Sequence, residues 1–181
     1  MTDLALLMQI FDALFLKSFN TKLINGIEHN GLGHEPLYLP AGNGASFARI
    51  IFAHGFFASA LHEVAHWCLA GRERRQKIDF GYWYAPDGRT ANEQKCFEKV
   101  EIKPQSLEWI FSKACQKPFR VSVDNLNETL EIDGTFFKES HVLQTYCFLD
   151  GGLPERASIF AEALAGQFGG VAYKNKQQYL L

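Results

Sequence analysis

Two histidines and a glutamate stand in the order His62-Glu63-x-x-His66 inside the stretch ASALHEVAHWCLAG, residues 58–71. An α-helix turns about 100° per residue, so side chains four apart leave it in nearly the same direction. His62 and His66 therefore present two imidazoles one turn apart, the geometry that grips a single metal ion. Glu63 leaves the helix about 100° round from His62. From there it reaches a metal-bound water without being a ligand. The stretch is otherwise apolar (Phe56, Phe57, Leu61, Val64, Trp67, Leu69), and a buried helix must satisfy each polar group it carries. Gly55, Ala58 and Ser59 precede His62 on its side of the helix, and their small size leaves room for a cavity or a close-packed neighbour.

Such a site needs a third ligand. The segment NEQKCFEKVE, residues 92–101, offers Glu93, Glu98 and Glu101. Glu98 and Glu101 are one helical turn apart and share a face. Either can be the ligand while the other holds a ligand histidine from behind. Phe97, Val100, Trp109 and Phe111 are the candidates to anchor this segment to the core, and Glu93 reads as a solvated charge. His29, His34, His54 and His141 are further candidates, each more simply structural or exposed. Two histidines and one carboxylate leave coordination positions open. With zinc, such a set activates water for hydrolysis, with Glu63 as general base. With Fe(II), the same set leaves room for dioxygen. The helical spacing alone leans toward a zinc peptidase.

These residues must be carried by a fold. The chain has 181 residues, 47% hydrophobic, with 16 Phe and a net charge of −2. That is one domain, residues 1–181, with a Phe-rich core and no overall basic field for nucleic acid. The four cysteines, Cys68, Cys96, Cys115 and Cys147, form no C-x-x-C pair and read as reduced thiols. The N-terminal run is acidic where a secretory signal would be basic, and is too interrupted to span a bilayer. The expectation is a cytoplasmic protein.

Leu4, Leu7, Ile10, Phe11, Leu14 and Phe15 predict a first helix, capped by Thr2 or Asp3. Residues 20–46 read mostly as loop, with a short extended piece at 36–39, and ARIIFAHG begins extended and turns at Gly55. The metal helix runs from about Phe56 to Ala70, stopped by a left-handed Gly71. DFGYWY (79–84) leans to a strand, either in the core or as a wall of the metal pocket. Helices follow over about 91–102 and, after Pro104, to Gln116. Strands in PFRVSVDNL (118–126) and TLEIDGTFF (129–137), then helices at about 139–149 and 154–168, complete the chain. The result is an α+β, predominantly helical single domain, its metallopeptidase-like metal-binding helix packed near a small β-sheet. RERRQK (72–77) either complements the end of that helix or docks an acidic partner.

The ordered run ASALHEVAHWCLAGRERRQKIDFGYWYAPDGRT, FEKVEIKPQSLEWIFSKA and PFRVSVDNL resembles the elongation factor P hydroxylase family. The resemblance is close over about 49–126. It implies an oxygen-dependent hydroxylase acting on the β-lysylated lysine of translation elongation factor P, as the last step of that modification. It also implies iron, with dioxygen as co-substrate and zinc possible in purified protein. His62 and His66 are then ligands, Glu98 is the matching carboxylate with Glu101 as fallback, and Glu63 orients water or the substrate amine. The acidic partner makes Arg72, Arg74, Arg75 and Lys77 candidate docking residues. No 2-oxoglutarate clamp is visible.

Overall fold

A computed structural model describes residues 1–28, 35–42, 44–79, 91–122 and 134–180. The described residues form five α-helices and one three-stranded sheet. Helix α1 (Asp3–Phe19) starts where Thr2 accepts the Ala5 N–H and ends at a left-handed Asn20. Its apolar stripe, Leu7, Ile10, Phe11 and Phe15, is fully turned inward.

Residues expected as loop contain strand β1 (Thr21–Asn25). It pairs in parallel with β3 (Ala48–Phe52), which also pairs antiparallel with β2 (Leu37–Leu39). The outer edge of β1 is tied down by Asp12 of α1, whose carboxylate accepts the Leu23 N–H at 3.1 Å. Only Thr21 and Leu23 of β1 are buried, too short an alternation to stand out beside the glycines that follow. After β3 the chain turns through His54 and Gly55, both with positive φ, and enters α2 (Phe57–Leu69).

Helix α2 packs against β3, α3 (Ala91–Ala114) and α5 (Glu155–Phe168). Its Trp67 is the hinge of the aromatic core. The indole meets the rings of Phe11, Phe15 and Phe19 at 5.3, 5.0 and 5.5 Å. Phe160 of α5 closes the cluster against Phe11 and Phe111. Tilted and edge-on contacts of this kind add to plain area burial.

Several sequence expectations are corrected. Pro104 does not divide α3, which is one helix from Ala91 to Ala114. The carbonyl that Pro104 leaves without its helical donor belongs to Val100, and Val100 is exposed rather than an anchor. Phe97, Trp109 and Phe111 are buried as expected. The expected strand at 129–137 is α-helical over 134–137, because α4 (Gly134–Gly151) runs without a break between its two terminal glycines; residues 129–133 lie outside the described residues. Of the strand expected at 118–126, residues 118–122 form none and 123–126 lie outside the described residues. Instead the Gln105 side chain clips Ser122, donating to its carbonyl at 2.7 Å and accepting its N–H at 3.0 Å. Of DFGYWY, Asp79 makes one antiparallel bridge to Tyr38, and the rest lies outside the described residues. Gly71 is not left-handed. Helix α2 leaves through an extended Ala70, and its end is capped by arginines. All four cysteines are free thiols, and no described helix is long and apolar enough to cross a membrane.

Two glycines separate close packing from chain termination. A Cβ on Gly170 would collide with the backbone of Lys113 and Ala114, whereas one on Gly71 would meet nothing. Gly170→Ala is therefore expected to cost about 2–3 kcal/mol, a drop in Tm of roughly 5–10 °C. Gly71→Ala is expected to stay within about 0.5 kcal/mol of the parent. Thermal unfolding followed by circular dichroism measures both.

Candidate metal centre

Helix α2 carries His62, Glu63 and His66, and α3 carries Glu98, Glu101 and Glu108. The two helices pack so that Glu101 faces both imidazoles. His62 Nε2 lies 3.4 Å from one Glu101 oxygen and His66 Nε2 lies 3.4 Å from the other. The two Nε2 atoms are 3.0 Å apart. Among the described residues this is the group of close-set nitrogen and oxygen atoms able to hold an ion. Atoms bound to one ion at about 2.0–2.2 Å lie about 2.8–3.6 Å from each other in right-angled to tetrahedral sets, and the observed spacings fall inside that range. Glu101 Oε2 is buried without a hydrogen-bond partner. A carboxylate in that condition demands a cation, and the donor set fits a divalent transition metal.

The structure thus sets Glu101, the fallback of the sequence reading, against both imidazoles, and not Glu98. Glu98 is half-buried, one turn earlier on α3 and about 60° round from Glu101, and it stands outside the cluster. Glu108 is the residue that sequence reasoning missed. Its carboxylate accepts the His62 Nδ1–H at 2.9 Å, which leaves Nε2 as the atom facing Glu101 and His66. The signal lay in the spacing: residues seven apart differ by only about 20° on a helix, so Glu101 and Glu108 share one face. His54 is exposed and His141 is fully buried on α4; neither joins the cluster. His29 and His34 lie outside the described residues.

The centre is open on one side. The His62 side chain is 26% exposed, against 14% for His66 and 3% for Glu101. Of the small residues beside His62, Ala58 is exposed, and Ser59 is turned back to accept the Ala53 N–H at 3.1 Å.

Glu63 points elsewhere. It lines a cavity of about 20 Å³ between α2 and the sheet, shared with Tyr38, Ile50, His66, Arg74 and Asp79, room for about one water. Burial raises the Glu63 pKa, against the pull of His62 and His66. Glu101 is the opposite case: burial works to raise its pKa, but the charges of His66, His62 and Arg74 hold it below the usual carboxylate range. The basic cluster is divided. Arg74 pairs with Asp79, and Arg75 donates to the Ala70 carbonyl at the end of α2. Arg72 and Lys77 are exposed.

Two comparisons with known proteins bear on this chain. The family model described as "EpmC: Elongation factor P hydroxylase" matches residues 10–179. A curated relative from Haemophilus influenzae, named "Elongation factor P lysine hydroxylase", is 46% identical over 155 residues, spanning 86% of this chain and 83% of the relative.

The charges around His62 make cation uptake depend on pH. Burial works against a protonated ring, but the hydrogen bond to Glu108 and the charges of Glu108, Glu101 and Glu63 prevail and raise its pKa to about 10. Below that pH the ring must give up a proton to become a ligand. Metal affinity is therefore expected to rise about tenfold per pH unit between pH 6 and 8. Co(II) titrations in several buffers check the slope and the proton release. Glu108→Gln is expected to flatten the slope, because it removes the main support of the protonated ring.

Proposed function

This chain belongs to the elongation factor P hydroxylase family, and on that premise we propose that it hydroxylates the β-lysylated lysine of elongation factor P at an iron centre formed by His62, His66 and Glu101. The observation that carries the site assignment is the buried Glu101 carboxylate set 3.4 Å from both imidazoles. A bound iron would supply activation of dioxygen, the co-substrate: one oxygen atom enters a C–H bond and the other leaves as water, with two protons and two electrons from an external reductant.

The residues of the chain divide the remaining work. His62, His66 and Glu101 would hold the metal as two imidazoles and one carboxylate, a set that leaves coordination positions for other groups. Glu108 holds the Nδ1 proton of His62, so that ring orientation and tautomer are fixed. Glu63, off the ligand face and beside a water-sized cavity, orients water or the substrate amine. The substrate side chain enters over His62, the most exposed of the three ligands. Arg72 and Lys77 are the members of the basic cluster available to an acidic partner, because Arg74 and Arg75 are engaged at the end of α2. The protein acts in the cytoplasm, where elongation factor P is made. The alternative, a zinc-dependent peptidase with Glu63 as base, draws no support from either comparison.

Intact mass of elongation factor P isolated from cells tests this reading. Wild-type protein is expected to add about 16 Da, one oxygen atom. His66→Ala and Glu101→Ala are expected to abolish the gain, and Glu98→Gln to keep it. A wild-type, iron-loaded protein that adds no mass to lysylated elongation factor P under reducing, aerated conditions would sink the proposal.

A further inference from the structure

The last turn of α2 is closed by a residue from a distant part of the chain. A helix end leaves its final carbonyls without helical donors. Here the Arg156 Nη2 donates to the carbonyls of Trp67, Cys68 and Ala70, at 2.9, 3.0 and 2.7 Å. Its guanidinium lies over the Trp67 ring at 4.7 Å and over Phe19 at 5.4 Å. Arg75 reaches the Ala70 carbonyl as well. The Ala70 N–H in turn donates to the His66 carbonyl at 3.0 Å. Ala70 is thus held at its carbonyl by two arginines and at its N–H by the His66 carbonyl.

This placement is costly for Arg156 itself. It is the second residue of α5, where the positive end of its own helix dipole disfavours a cation. Its Nε is buried without a partner. Burial and the neighbouring Arg75 both work against its charge. What offsets these terms is the negative end of α2 and the aromatic faces beside it.

We infer that Arg156 is a positioning residue for the metal centre: by closing the turn between His66 and Ala70, it sets the direction in which the His66 imidazole meets Glu101. The inference rests on the metal reading above. His66 stands three residues from the end of α2. Terminal turns fray when their carbonyls are unsatisfied, and a ligand must be held within about 0.5 Å of its working position. Loss of a residue that orients a ligand typically weakens metal binding by about ten- to a hundredfold.

Co(II)-loaded protein gives a readout independent of turnover, through its visible absorption and its dissociation constant. Arg156→Met is expected to weaken Co(II) binding at least about tenfold and to shift the absorption band. Arg156→Lys, which keeps a cation with three donors, is expected to lie nearer wild type than to Arg156→Met. Phe160→Leu, in the same helix but in the aromatic core, controls for lost stability and is expected to keep the wild-type spectrum. Wild-type Co(II) affinity and spectrum in Arg156→Met overturn the inference, as does an equal shift in Phe160→Leu. If Arg156→Met is insoluble, Arg156→Gln takes its place, and wild-type Co(II) affinity and spectrum in that variant overturn the inference. A wild-type protein that takes up no Co(II) overturns the metal reading, and this inference with it.

Discussion

The buried carboxylate of Glu101, facing two imidazoles across the α2–α3 interface, is the constraint around which this molecule is arranged. A carboxylate out of water is expensive unless positive charge answers it. Glu101 has an oxygen with no hydrogen-bond donor, and Glu63 and Glu108 add further negative charge around His62. The protein answers within itself by holding His62 protonated. A divalent ion answers better, because it satisfies three ligand atoms together and releases that proton. The interface therefore has the charge and donor set to accept a cation.

Everything that fixes the two helices serves that contact. Trp67 ties the back of α2 into the Phe11–Phe15–Phe160 cluster, so the face with the histidines is turned to α3. Glu108 steers one imidazole from behind, and Arg156 with Arg75 closes the turn after the other. The β-sheet supports the side that carries Glu63. His62 is the most exposed of the three side chains and Glu101 the least.

Much of this was legible in the sequence, and the exceptions have physical causes. The histidine spacing fixes a face of a helix, so α2 and the shared face of His62 and His66 were readable at once. The apolar period of α1 and its Thr2 cap were equally clear. The third ligand was open between Glu98 and Glu101 because one turn separates them, and only packing decides which faces α2. Glu108 escaped because it lies on the far side of Pro104, which by propensity ends a helix. The proline is tolerated because the carbonyl it strands belongs to exposed Val100. Gly71 looked like the stop signal for α2, but the stop comes from a guanidinium supplied from α5, and no local pattern encodes a contact 86 residues away. The RERRQK run read either as complementing the end of α2 or as a docking patch, and its two central arginines turn inward, Arg75 to the end of α2 and Arg74 to Asp79. Charge runs disclose composition and not direction.

The central claim is the identity of the three atoms that hold the metal. Anomalous diffraction at the iron edge, from crystals grown with Fe(II) under anaerobic conditions, tests it most directly. The account predicts one peak about 2.0–2.2 Å from His62 Nε2, His66 Nε2 and a Glu101 oxygen, with Glu108 still bonded to His62 Nδ1. A peak bound through Glu98 or Glu63 instead of Glu101, or none between the two helices, would contradict it.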